Sequence, residues 1–378
     1  MTTTNSTTEL KAFLVVDDLR VGGIQRLAMD EAYALAEEGY SVKIINFGAE
    51  RENDSIIYVD GMTEEALRQK SICITSFPIR KLAKLNKLRQ FIIENEVDSI
   101  ICHSPSASLW FRIAAITCFR QVSISLWIHQ VLTLSDLVQA FKRVILSTTA
   151  DKIYFSAHQF KLEWEANLAD KIIRKIRVNQ HRLVDRLGVH IPRVLSNSGE
   201  IDCEAKHTHL VYASRLTPWK GLEKFDKIIE RNPDYHPVIL TVNVPIDLSP
   251  SIVKAISQKG HLLICKSPSS ISNVKKAVHI YPTHYGKKVN NPQSVGLNVM
   301  EFAVLGIPSL ISPEVTSTYP EILDSILVES VDWHDDKLVD KKILSLANLT
   351  ENERRVAAHE IQAICSIRHH LDTIKSNL

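Results

Sequence analysis

Two cations flank a rigid turn in SRLTPWKGLEKF, where Arg215 and Lys220 stand on either side of Pro218-Trp219 and follow the apolar run HLVYA, His209 to Ala213. Cations at the carboxyl end of a strand, just before a helix starting near Gly221, suit a diphosphate whose charge they would neutralise. Two solvated surface charges are the competing reading. In DDLRVGGIQR, after the first apolar run, Gly22 and Gly23 let backbone approach a phosphate or a sugar, and the next helix offers free N–H groups to an anion. A tight turn that needs glycine for geometry alone is the alternative there. A third stretch, NPQSVGLNVMEFAVLGIPSL (Asn291 to Leu310), carries one carboxylate, Glu301, in an otherwise apolar segment between Gly296 and Gly306-Ile307-Pro308. An acid near a helix start can simply satisfy the helix dipole.

Other chemistries lack their signatures. No GxGxxG follows a strand, which argues against a nicotinamide or flavin cofactor. No HExxH occurs, nor a DxD between strand signals, so no metal is expected; His207 and His209, or His369 and His370, read as surface or strand residues.

Loops of this kind need strands and helices to aim them. Short β-rich runs alternate with helix-period segments: AFLVV (12–16), a helix over 24–38 with Ile24, Leu27, Ala28, Ala32 and Leu35 on one face and Gly39 as its stop, then SVKIIN (41–46). Further strands are predicted at SIIC (99–102), VSISLW (122–127) and KIYFS (152–156), as in a parallel sheet covered on both faces. After the polar stretch NSGEIDCEAK the pattern restarts with HLVYA (209–213), VILTV (238–242), LLIC (262–265), HIY (279–281) and SLI (309–311). The expected architecture is α/β with two Rossmann-like domains: an N-terminal one over 1–196, a linker over 197–206, a C-terminal one over 207–351, and a helix over 352–378 packing across both. Ligands in such open sheets bind beyond the carboxyl ends of the strands.

The totals agree with two cores. The chain has 378 residues, 45% hydrophobic and 23% charged, with a formal net charge of only +2, so nothing suggests a nucleic-acid partner. Six scattered cysteines without a CxxC pair, no signal-peptide core and no long apolar run point to a cytoplasmic protein.

Taken in order, strand-GGxxR-helix, SLWIH, the linker VLSNSGEID, SRLTPWKG and QSVGLNVMEFAVLGIP resemble the retaining glycosyltransferases of family 4 over nearly the whole chain. The resemblance implies the GT-B fold, two Rossmann-like domains facing across a cleft, and transfer of a sugar from a nucleotide-sugar donor (a UDP- or GDP-sugar) to a glycan or lipid-linked acceptor, without metal or other cofactor. Asn197 and Asp202 match the family's interdomain segment with an insertion between them. By motif, Arg215 and Lys220 would bind the donor diphosphate and stabilise the departing nucleoside diphosphate. Glu301 would accept hydrogen bonds from the donor ribose, since a carboxylate can hold a cis-diol through two acceptor oxygens. Gly22, Gly23, Gly296 and Leu297 fall in the donor motifs, and Glu321 of TYPEIL resembles an element near the donor. His129, ending SLWIH, matches the active-site histidine, while His103 and Arg26 are candidates on the acceptor side. The sequence departs from the family at Gln293, where a first glutamate is usual; glutamine keeps the hydrogen-bonding reach and loses the charge. That leaves open altered donor contacts, a rearranged loop or an inactive relative.

One helix stands apart from these motifs. FPIRKLAKLNKLRQFII (77–93) sets Arg80, Lys81, Lys84, Lys87 and Arg89 along a helix with Leu82, Leu85, Leu88 and Phe91. Such a helix suits peripheral association with an anionic membrane or, equally, a solvated face.

Overall fold

The computed structural model describes residues 10–17, 23–47, 64–77, 81–129, 149–155, 183–184, 207–214, 216, 220–241, 248–264, 268–282, 296–315, 320–364, 371–372 and 375. The chain divides into two compact units, Met1–Leu187 with Ile367–Leu378, and Gly188–Ser366.

Unit 1 is built on β1 (Lys11–Val16), β2 (Ser41–Asn46), β3 (Ile72–Ser76), β4 (Ser99–Cys102), β5 (Ser123–Ile128), β6 (Lys152–Phe155) and β7 (Leu183–Val184). The seven strands lie in the order β3-β2-β1-β4-β5-β6-β7, and every neighbouring pair is parallel. Near-continuous burial of β1, β4 and β5 is what a parallel sheet with both faces covered requires. The described helices of this unit are α1 (Gly23–Glu37), α2 (Glu64–Gln69), α3 (Lys81–Glu94) and α4 (Pro105–Thr117). α1 packs Ala28, Ala32 and Leu35 against Leu14, Val16 and Ile44, and Gly39, at φ +90°, lets the chain reverse into β2. At the start of α4, Ser104 accepts from Ala107 N–H and Pro105 occupies a first-turn position where no donor is needed. Leu371 joins this core, and Lys375 pairs with Glu38.

Unit 2 carries β8 (His209–Ala213), β9 (His236–Thr241), β10 (His261–Ile264), β11 (Ala277–Tyr281), β12 (Ser309–Ile311) and β13 (Val328–Ser330), all parallel, in the order β10-β9-β8-β11-β12-β13. Its described helices are α5 (Leu222–Arg231), α6 (Pro250–Lys259), α7 (Leu297–Val304), α8 (Pro320–Leu323), α9 (Asp336–Ala347) and α10 (Glu351–Ile364). Strand alternation divides the core: Leu210 and Tyr212 of β8 join Phe225, Ile239 and Ile343 on one face, and Val211 joins Val238, Phe302 and Ile307 on the other. Arg354 of α10 is buried and holds the carboxyl end of α9, its guanidinium donating to the carbonyls of Leu346, Ala347, Leu349 and Lys275.

The strands expected from sequence lie where their alternation places them, shifted by at most two residues at an end. β3, β7 and β13 were not expected. β3 (ICITS) and β13 (VES) are short and partly polar, and β7 has two residues. The linker over 197–206 lies outside the described residues.

Candidate active site

Both sheets reverse their winding at the central strand, which leaves a crevice at the carboxyl ends of β1 and β4 in unit 1 and of β8 and β11 in unit 2. The sequence motifs concentrate at these two places.

In unit 1, β1 ends in Asp17, whose carboxylate accepts from the hydroxyls of Ser104 and Ser106 at the start of α4. β4 ends in His103, whose side chain has no exposed surface. Its Nε2 lies 2.7 Å from Oε2 of Glu31, itself fully buried on α1, and its Nδ1 lies 3.0 Å from Nε2 of His129 just past β5. The rings of His103, His129 and Trp127 are stacked within 12° of parallel, at centroid separations of 5.3–6.0 Å. His129 is half-buried. Both ring nitrogens of His103 are thus engaged, by Glu31 and by His129, and His129 is the more exposed of the two histidines. The adjacent Cys102 thiol is pushed far above its usual range, first by burial and then by Asp17, which removes it as a nucleophile. Glu31 and Asp17 escaped the sequence reading. An acid in the middle of an amphipathic helix looks solvated until the strand order brings β4 beneath it.

In unit 2, Lys220 leads into Gly221, the N-cap of α5, which adopts φ +75°. The left-handed turn aims Lys220 back over the sheet, its Nζ 5.5 Å from the ring centroid of Tyr281 at the end of β11. The backbone carbonyl of Lys220 accepts from Tyr212 Oη at 3.3 Å. Gly296 is the N-cap of α7 and Leu297 its first residue. A Cβ on Gly296 would fall 2.8 Å from Tyr281 Oη and 2.4 Å from Asn298 Oδ1. Asn298 Nδ2 in turn donates to the carbonyl of Ala213, tying the start of α7 to the end of β8. Lys220, Tyr281 and the exposed N–H groups of α7 thus converge on one corner, suited to an anion. Glu301 is 4% exposed and is the fifth residue of α7, beyond the first turn where an acid serves the helix dipole. Dipole neutralisation therefore does not account for its burial. Tyr281 and Asn298 had no sequence signal; both depend on the crossing of β8 by β11.

Arg26 lies on α1, Gly23 begins that helix, and Glu321 lies on α8, whereas Gly22, Arg215 and Gln293 fall outside the described residues. The basic helix is corrected in part. Lys84 of α3 is turned inward, where its Nζ donates to Phe47 O at 2.8 Å and sits 3.3 Å from that ring's centroid, while Lys87 is exposed and Leu88 and Phe91 are buried. Burial lowers the Lys84 ammonium from its ordinary range, and Asp17 opposes that shift. Among the described residues no group of His, Cys, Asp and Glu could hold a metal, and no helix is long and apolar enough to cross a membrane.

No protein-family model and no curated protein matches the chain. Solved structures do. Anabaena HepE in complex with UDP-glucose superposes with a TM-score of 0.67 at 15% identity, covering 97% of this chain and 98% of that one. Sucrose-phosphate synthase from Thermosynechococcus elongatus gives 0.67 at 13% identity over 97% and 98%. The lipopolysaccharide outer core galactosyltransferase WaaB gives 0.58 at 15% identity over 97% and 99%. The chain has the GT-B fold. At these identities the likeness concerns the fold. At the switch points of its two sheets the chain places His103 beside His129 and Lys220 beside Tyr281.

Proposed function

We propose that this chain is a retaining glycosyltransferase resembling family 4, which moves a sugar, of hexosyl type, from a UDP- or GDP-sugar to a hydroxyl of a glycan or lipid-linked acceptor without a metal ion. The observation that carries the reading is the corner formed by Lys220, Tyr281 and Gly296 at the switch point of the second sheet, with the buried Glu301 on the helix that Gly296 caps. UDP and UDP-glucose are the ligands of HepE, a protein of the same fold. In the transfer, the bond from C1 of the sugar to the phosphate oxygen breaks with its electron pair left on that oxygen, the acceptor oxygen bonds to C1, and the hydroxyl proton passes to the departing diphosphate. Negative charge grows on the leaving diphosphate. Lys220, with Arg215, would neutralise it, the α7 N-terminus would add a fixed dipole, and Glu301 would hold the ribose diol. On the first sheet, His129 is the candidate for substrate contact, by its match to the family's active-site histidine.

The test is turnover on a panel of nucleotide sugars. Lys220→Ala should lower kcat/KM by about 10²-fold or more, within the range for one electrostatic stabiliser. Near-normal turnover would refute the phosphate site. Tight nucleotide binding with no turnover on any donor would favour a non-catalytic binder, the reading that Gln293 keeps open. A lipid-linked acceptor implies membrane contact, and protein left in the supernatant after sedimentation with anionic vesicles at low salt would remove that part.

A further inference from the structure

We propose that Glu31 and His103 are positioning residues that form a buried proton relay to His129 and decide which hydrogen-bonding face His129 turns to its ligand. The inference rests on the reading above at one point, that His129 meets substrate.

The relay follows from hydrogen bonding in sequence. Glu31 as carboxylate can only accept, so the 2.7 Å contact requires a proton on His103 Nε2. With both rings neutral, His103 Nδ1 is then an acceptor, and the 3.0 Å contact requires the proton of His129 to sit on Nε2. Any group meeting His129 Nδ1 meets a lone pair. One added proton reverses the chain. His103 becomes an imidazolium between Glu31 and His129, its Nδ1–H donates to His129 Nε2, and the remaining proton of His129 moves to Nδ1, which becomes a donor. Charge taken up at the ligand side is thus stored beside a carboxylate that has no exposed surface. The stacked Trp127 ring holds both imidazoles in plane. Among the described residues, the titratable or charged groups on the elements around the relay include Asp17, Asp30, Lys84, Cys102, Arg112 and Tyr154, and Asp17 is engaged with Ser104 and Ser106.

A solitary histidine at the end of β5 needs none of this. A surface pair would lack the buried acid, and a buried structural histidine would be satisfied by backbone, whereas here two imidazoles and a carboxylate are joined end to end from α1 through β4 to β5.

The test uses the full chain with ¹⁵N-labelled histidine, compared with Glu31→Gln and His103→Phe. In the wild type, the neutral rings of His103 and His129 should both carry their proton on Nε2. Glu31→Gln keeps size but removes the charge and the acceptor-only character of the carboxylate, so the neutral rings of His103 and His129 should no longer be held with their protons on Nε2. If that variant fails to fold, His103→Phe keeps the stacking and leaves His129 to titrate alone, with a shifted midpoint and no fixed tautomer. An Nδ1-protonated neutral His103, or an unmoved His129 in either folded variant, overturns the relay. Because these spectra need no substrate, a wild type that shows the relay but transfers no sugar refutes the transferase reading and leaves the relay standing. Where turnover is found, the inflection of kcat/KM with pH should move with the NMR midpoint in Glu31→Gln. A uniform loss of rate with the inflection unmoved would overturn the functional role.

Discussion

Gly221 and Gly306 share almost one backbone conformation, φ +75° and +72°, in very different surroundings. A Cβ on Gly306 would find Arg354 Cβ at 3.5 Å, an ordinary contact. On Gly221 it would lie 2.2 Å from the carbonyl oxygen of Pro282 and 2.9 Å from its carbonyl carbon. Alanine at either site costs about 1–2 kcal/mol for the left-handed backbone. At Gly221 the overlap is with main chain just past β11, which no rotamer change relieves, and overpacking of that kind adds about 1–3 kcal/mol. Gly221→Ala should therefore exceed Gly306→Ala by about 1–3 kcal/mol in urea denaturation at neutral pH. Both glycines belong to unit 2, so the two variants report on the same compact unit. If the turn yields instead of the fold, Lys220 must move with it and nucleotide affinity should fall at least about tenfold, about 1.4 kcal/mol. Equal destabilisation of the two variants together with unchanged nucleotide affinity would refute the argument that Gly221 is fixed by Pro282 and in turn fixes Lys220.

Two further perturbations follow from buried groups, and a third from the site. Burial depresses His279 to about 3, and burial first, then the nearby His236, His261 and His207, depress His209 to about 4. The unfolded chain takes up these protons near pH 6.5 while the folded one refuses them, so stability is flat above that pH and falls below it, continuing toward pH 4 and 3. At pH 5 each histidine should have cost roughly 2 kcal/mol relative to pH 7; His279→Gln should remove its share of the slope in urea titrations, and an unchanged slope would contradict the assignment. Arg354→Met, which removes a donor from four carbonyls, should destabilise by about 3 kcal/mol, with Arg354→Lys rescuing little because an ammonium cannot span the same acceptors. Glu301→Gln should weaken nucleotide binding by about tenfold through the lost charge-assisted bonds while leaving binding of free sugar unchanged, measurable by calorimetry.

Much of the fold was legible because each parallel strand is a compact apolar run followed by a turn residue: β2, β4, β8 and β12 were readable to the residue. β3, β7 and β13 were not, since edge or near-edge strands bury less and carry Cys73, Thr75, Glu329 or Ser330 where a central strand would be apolar. Site legibility followed a similar division. Gly221, Gly296 and Lys220 announce themselves because glycine at a strand-to-helix turn has a local cause. Glu31, Asp17, Tyr281 and Asn298 acquire meaning only through strand order, which sets β4 beside β1 and β11 beside β8. Lys84 failed in the opposite sense: a lysine in a basic row reads as solvated, yet the carbonyl and ring of Phe47 offer it a buried partner that lies 37 residues away.

The two corners differ in charge although the sheets share a winding pattern. At β8 and β11 the groups beyond the strand ends are a lysine, the N-terminus of α7 and an aromatic ring face, so the corner favours an anion. At β1 and β4 they are carboxylates and imidazoles, so the corner accepts hydrogen bonds and protons. A net charge of +2 over 378 residues conceals this polarity entirely. Strand order supplies two equivalent positions, and the residue that follows each central strand decides the chemistry there. An aspartate after β1 recruits the serines at the start of α4, whereas Lys220, just before Gly221, supplies an ammonium beside the end of β11. Exchanging the sign at either corner, as in Lys220→Glu, would leave the sheet intact and place like charge against a diphosphate, so loss of nucleotide binding without loss of stability is the signature that separates site from scaffold.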